Sequence, residues 1–260
     1  MNLKIIICVT ALLAMGGSFI WLKKSNLLQK DPNVLIVGTA AGYAPFVSIN
    51  FQGEYEGFDI EVAHALAKQL GKQLILKDLG SMTSLFTALD QGSIDVIMWG
   101  ISITPDRLKK VAMINYQGDI TRSYPLIFWK VIPAGIQKIS DMKGKTVCVE
   151  PASSQDAVLS KYAFINKFPT EKVDDALLNI QYGKVDAAFV EPAIAQKFKN
   201  KYPEIQILDV PLAPEDQVQG IGIVIKQNNT HLITQVQQAV ATLKSTGSIA
   251  QLEQKWDIAS

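Results

Sequence analysis

Gly92-Ser-Ile-Asp-Val-Ile-Met98 and Gly183-Lys-Val-Asp-Ala-Ala-Phe189 carry one pattern at two places in the chain: glycine, any residue, a branched residue, aspartate, then an apolar run. Each copy reads as a turn opening a short buried strand. The repetition suggests two similar half-structures of about a hundred residues each, an ordinary domain size.

Around these copies the strand and helix patterns alternate. The spacing predicts strands at 34–37, 74–76 and 94–98, with helices at 58–70, 84–89 and 105–113. A second set follows, with strands at 126–131, 146–149, 185–190 and 222–225 and helices at 156–164, 175–180, 192–199, 231–243 and 248–256. Alternation of this kind implies parallel βαβ units and an α/β fold. Crossovers near 121–125 and 216–220 place 31–121 and 217–260 in a first lobe and 122–216 in a second.

A chain of 260 residues, 48% of them hydrophobic, buries a substantial core. Its 25 basic and 24 acidic side chains give a net charge of +1, which removes the electrostatic case for a nucleic-acid partner. Lys4 precedes an uncharged run from Ile5 to Leu22, closed by Lys23 and Lys24. Residues 1–30 therefore read as an export signal, or as a retained membrane anchor, plus a linker; either places the rest outside the cytoplasm. Of the two cysteines, Cys8 falls in that segment and Cys148 in an apolar strand. They make no disulfide framework and no metal cluster, and Cys148 is expected to be a small core residue.

In open α/β sheets ligands bind beyond the carboxyl ends of the strands, and four such ends carry unusual residues. In Gly100-Ile-Ser-Ile-Thr-Pro-Asp-Arg107, Thr104 and Pro105 are a helix cap and first helical residue. Arg107 then sits in a first helical turn, where the helix dipole disfavours a cation unless an anion lies beside it. Its guanidinium fits a carboxylate, with the N–H groups of Gly100 and Ser102 as further donors. In Cys148-Val-Glu-Pro-Ala-Ser-Ser-Gln-Asp156, Ser153 or Ser154 caps the next helix, and the free N–H groups there also suit an anion. Glu191 before Pro192 is a poor cap; it either interacts with the helix dipole or holds an ammonium group. Tyr43 is either a core residue or an aromatic wall for a ligand. His64 and His231 lack partners at metal-ligand spacing, and no nucleophile elbow or phosphate loop is present.

These residues resemble the amino-acid-binding proteins of ABC importers, the periplasmic family (solute-binding proteins, family 3) with two α/β lobes and a hinged cleft, from Val34 to Trp256. The landmarks are Gly38-Thr39, Tyr43-Ala-Pro-Phe46, Gly57-Phe-Asp-Ile-Glu61, the Gly100 to Arg107 stretch, Gly144-Lys-Thr-Val147 and Gly247-Ser-Ile with Lys255-Trp256. The resemblance implies a type II two-lobed fold with mostly parallel sheets. It implies that Arg107 holds a ligand α-carboxylate, helped by Gly100, Ser102 and Ser154, and that Glu191 binds the α-amino group. Tyr43 and Met82 would sandwich the side chain, Glu150 would line its pocket, and Ser153 and Gln155 would stand on the rim. Ala40 departs from the acid common in lysine- and arginine-binding members, and Trp99 replaces a small residue in the cleft. Tyr116-Gln-Gly-Asp119 and Glu191-Pro192 are similar to arginine-binding members. The expectation is a monomeric arginine binder with no cofactor, delivering its ligand to a membrane permease. The alternative is an exported enzyme resembling cyclohexadienyl dehydratases, with Glu150 or Glu191 as general acid.

Overall fold

A computed structural model describes residues 31–258; the export-signal or anchor reading of residues 1–30 lies outside them. No helix among the described residues is long and apolar enough to cross a membrane. The first sheet has five strands in the order β4 (Gln73–Asp78), β1 (Val34–Thr39), β5 (Val96–Ile97), β12 (Val218–Lys226) and β6 (Val111–Thr121). The second runs β11 (Ile205–Pro211), β7 (Ser123–Trp129), β10 (Ala187–Phe189), β8 (Thr146–Val149) and β9 (Asn166–Pro169). A small hairpin of β2 (Ser48–Ile49) and β3 (Tyr55–Glu56) stands apart from both.

The repeated motif has one physical role in both sheets. The Asp95 N–H donates to the Ile36 carbonyl, and its carboxylate accepts from the Ile36 N–H, both at 2.8 Å. Asp186 does the same to Thr146 and also pairs with Lys145. Each aspartate thus fixes the start of the neighbouring parallel strand, β1 in one sheet and β8 in the other. Gly92 and Gly183 turn the chain into these motifs at φ 71° and 67°, where a side chain would be strained.

Alternation along β7 explains how the second sheet is buried on both faces. Tyr124, Leu126 and Phe128 join one apolar cluster, while Ile127 points into the other. The first of these faces is covered by α4 (Ser154–Leu159), which contributes Val158 and Leu159. The opposite face takes Val173, Ala176 and Ile180 of α5 (Val173–Gln181) and Ile194 and Phe198 of α6 (Pro192–Lys201). In the first sheet the apolar stripe of α1 (Phe58–Gln69), from Phe58 through Val62 and Leu66, is buried. It packs against α7 (Thr230–Ser245) and α8 (Ser248–Lys255). Two short helices, α2 (Met82–Asp90) and α3 (Pro105–Leu108), follow β4 and β5.

The structure corrects several expected elements. The helix expected at 105–113 stops at Leu108, because Val111 to Met113 pair with Lys226 to Val224 and begin β6. The helix expected at 156–164 spans Ser154–Leu159, and Ser160 Oγ donates back to the Asp156 carbonyl as it ends. The sheets are mixed rather than mostly parallel: β12 is antiparallel to β5 and β6, and β7 to β10 and β11. The strands that join the sheets cause this, since β6 leads through Arg122 directly into β7 and the chain returns from β11 to β12.

These two connections run side by side. On β12, Gly220 has φ +71°, and an added Cβ would lie 2.4 Å from the Gly118 carbonyl and 2.6 Å from Asn115 Nδ2. Asn115 Nδ2 itself donates to the carbonyls of Gln117, Gly118 and Gln219, which ties β6 to β12 at the passage. Gly220→Ala is therefore expected to lower stability by about 2 kcal/mol or more, from backbone strain plus overpacking. A denaturation midpoint within error of the native protein would contradict this.

Candidate functional site

Arg107 occupies the single turn of α3. Thr104 caps that turn by accepting from the Arg107 N–H at 3.2 Å, so the side chain is aimed by its own helix start. Nη1 donates to the Ser102 carbonyl at 2.8 Å. Nη2 donates to the Ala152 carbonyl at 3.0 Å, across from the first sheet to the loop after β8. Met82 Sδ lies 4.0 Å from Nη2, and the Phe86 ring centroid is 5.9 Å from Cζ. Burial lowers the affinity of this guanidinium for its proton, against the pull of Tyr124, Glu191, Glu150 and Tyr43. Both acceptors are carbonyls, which are weaker than a carboxylate.

Glu191 comes from the other sheet. It is the N-cap residue of α6 but makes no side-chain cap bond; its Oε1 instead accepts from Ser102 Oγ at 2.5 Å. It is only 8% exposed, and burial raises its pKa against the hydrogen bond from Ser102 and the pull of Arg107. The dipole interaction and the ligand role are thus not equivalent here, because the carboxylate points across the cleft rather than back at its helix. Ser154 continues the bridge, 2.7 Å from the Tyr124 hydroxyl and 3.3 Å from Ser102 Oγ. Ser153, not Ser154, is the cap of α4, accepting from the Asp156 N–H at 3.0 Å. Ala152 holds φ +61°, a strained value for a residue with a Cβ, and this places its carbonyl before Arg107.

The far end of the cleft is aromatic on one side and acidic on the other. Tyr43 stacks beside Phe46 and lies 5.1 Å from Trp99, centroid to centroid, both of them buried. Glu150 and Gln155 face Tyr43 across a cavity of about 20 Å³ that Cys148, Thr170, Val173, Ala176 and Phe189 also line. Glu150 Oε1 and Gln155 Nε2 are buried there without a hydrogen-bond partner. Desolvation pushes the Glu150 carboxyl up to about 8; Arg107 pulls it down and Glu191 and Glu171 push it further up. A cavity of this size holds about one water molecule, far less than the roughly 300 Å³ or more of a ligand pocket.

Gly100 differs from its expected use. Its N–H donates to Asp59 Oδ2 at 2.6 Å and is not free for a ligand anion. Asp59 also accepts from the Tyr116 hydroxyl at 2.6 Å. This aspartate thus ties the backbone at Gly100, between Trp99 and Ser102, to Tyr116 of β6. The sequence marked it only by a charge placed on the apolar stripe of α1. Tyr124 and Thr170 were missed: Tyr124 lies at a strand start read three residues late, and Thr170 follows β9, whose exposed residues carry no periodic signal. Met82, Ser102, Arg107, Ser154 and Glu191 gather around the contact between the two sheets' loops, with Tyr43, Trp99, Glu150 and Gln155 at its deeper end.

The sequence pattern of the bacterial extracellular solute-binding proteins, family 3, matches residues 35–258. The probable ABC transporter arginine-binding protein ArtJ of Chlamydia trachomatis is 32% identical, with 96% of this chain and 92% of that protein covered. The arginine-binding extracellular protein ArtP of Bacillus subtilis is 29% identical, with 96% and 94% covered. A crystal structure of a mutant of ArgBP from T. maritima superposes with a TM-score of 0.78 at 30% identity, over 86% of this chain and 95% of that one.

Proposed function

Since the chain belongs to the bacterial extracellular solute-binding proteins, family 3, we propose that its cleft captures free arginine and that the closed protein delivers it to an ABC permease. It is a binding protein and not an enzyme, as are the curated transport proteins it resembles. The observation that carries the reading is the pair Arg107 and Glu191, opposite charges presented from opposite sheets, each held by neutral partners that a ligand replaces. A ligand α-carboxylate exchanges with the Ala152 carbonyl at Arg107 and gains charge-assisted bonds with Ser154 nearby. The α-ammonium takes the place of the Ser102 hydroxyl at Glu191. Tyr43, Trp99 and Met82 wall the aliphatic stem, and Glu150 with Gln155 receives the guanidinium.

In this reading residues 31–121 and 217–260 form one lobe and 122–216 the other, and they move about the paired passages at Arg122 and β11–β12. The ligand stabilises the closed arrangement through its higher affinity for it. The protein works as a monomer outside the cytoplasmic membrane, exported or anchored by residues 1–30. The names of ArtJ and ArtP support arginine as the ligand, and the unpartnered Glu150 carboxyl oxygen supports a cationic side chain. Glu150→Gln is expected to weaken arginine binding about 10- to 100-fold, the worth of a charge-assisted bond, and to weaken glutamine binding much less. Equal losses for the two ligands in calorimetric titrations would remove Glu150 from the side-chain site.

A further inference from the structure

The charges in the cleft do not balance on their own. Among the described residues, Arg107 is the cation that acts on both buried carboxyls, Glu191 and Glu150. An amino acid adds a carboxylate and an ammonium, which cancel. A neutral side chain then leaves one uncompensated negative charge in a desolvated site, which is costly unless a proton neutralises it. A cationic side chain removes that charge directly.

Glu150 is the carboxyl placed to make this adjustment. Its Oε1 has no partner, whereas Glu191 is held by Ser102. Apolar groups of Val173, Ala176 and Phe189 close in around it. The titratable groups facing it are Arg107 from α3, Glu191 from the start of α6, Glu171 from the β9–α5 connection, Tyr43 from the β1–β2 loop, and the Cys148 thiol on β8. Among these only Arg107 favours the ionised form.

We propose that Glu150 exchanges a proton for the ligand's positive charge: the complex with a neutral side chain keeps a proton on Glu150, and the complex with a cationic side chain does not. This rests on the reading that Glu150 faces the ligand side chain. Its consequence is a preference for cations that depends on pH. Burial pushes the Glu150 carboxyl up to about 8 even with Arg107 beside it, and a neutral side chain adds no charge to change this, so below that pH the neutral complex binds one proton more than the cationic one. By linkage, a state that binds the extra proton loses ground as pH rises. The ratio of the two affinities then climbs about tenfold per pH unit from the ordinary carboxylate range, above about pH 5, to about pH 8, and levels off beyond it.

L-arginine and L-citrulline, equal in length and differing in charge, are the probes. Calorimetric titration of the native protein in two buffers of different ionisation enthalpy, at about pH 7, counts the protons moved with each. The citrulline complex is expected to hold about one proton more than the arginine complex, and in Glu150→Gln this difference is expected to vanish. A pH series of the two dissociation constants, with citrulline measured by displacement of arginine, reads the same quantity in the native protein alone. Equal proton counts for the two ligands, a pH-independent affinity ratio, or a difference that survives in Glu150→Gln would each overturn the proposal. Failure of arginine to bind at all would instead overturn the ligand assignment it rests on.

Discussion

Arg107→Ala is expected to abolish measurable amino-acid binding while leaving the protein folded. The side chain lies between Ser102 and Ala152 and forms the link from the first sheet to the loop after β8. Truncation would leave a ligand carboxylate desolvated without its cation, a loss of about 2–5 kcal/mol, which is roughly 30-fold to several thousand-fold in Kd. The variant also takes from Glu191 and Glu150 the Arg107 charge that favours their ionised forms, so both carboxyls hold their protons to higher pH. Stability should change little, because the bonds lost end on carbonyls in a half-buried loop contact. Titration with arginine and a thermal melt together check this: retained affinity would remove Arg107 from the site, and a collapsed melt would make it a structural residue.

Asp59→Ala is expected to do the reverse, lowering stability first and affinity as a consequence. Asp59 is buried and accepts from the Gly100 N–H and the Tyr116 hydroxyl, both at 2.6 Å. Without it two buried donors lose their acceptor, at about 1–3 kcal/mol each, and the turn carrying Trp99 and Ser102 loses its support. The pH dependence separates this residue from an ordinary salt bridge. Burial pushes the Asp59 carboxyl up to about 7 against the pull of its two donors. The folded state therefore holds a proton that the unfolded state has released, and the stability this contributes is full at low pH and lost as pH rises through about 7. Asp59→Asn should flatten the fall in stability between about pH 4 and pH 7. An unchanged slope in urea denaturation across that range would contradict the assignment.

The fold was legible where residues repeat a physical task. The two Gly-x-branched-Asp motifs work because each aspartate holds a backbone N–H near the start of a parallel neighbour, and that need leaves the same residue at 95 and 186. The strands that join the two sheets were less readable. Polar and exposed positions interrupt β6 as it passes from the cleft to the surface, and the start of this strand reads as a continuation of the α3 helix. The edge strand β9 is exposed throughout and offers no alternation at all.

At the site, residues in odd places were the most readable. Arg107 at a helix start and Glu191 as a weak cap are unexplained by local structure, and both prove to reach across the cleft. Residues that make good local sense were harder to assign: Ser153 and Ser154 were equivalent as caps until the geometry separated the cap from the bridging hydroxyl. The Gly100 N–H reads as a donor for a ligand, but Asp59, forty-one residues earlier in the chain, already accepts from it. No local pattern reports such a contact.

The central claim is that the cleft grips an amino acid by its charged backbone groups, and L-arginine compared with agmatine tests it most directly. Agmatine keeps the guanidinium and lacks the carboxylate. In calorimetric titrations of the purified protein, arginine should bind and agmatine should be weaker by at least about a hundredfold, the cost of leaving Arg107 without its anion. Equal affinities, or no heat from arginine, would contradict the account.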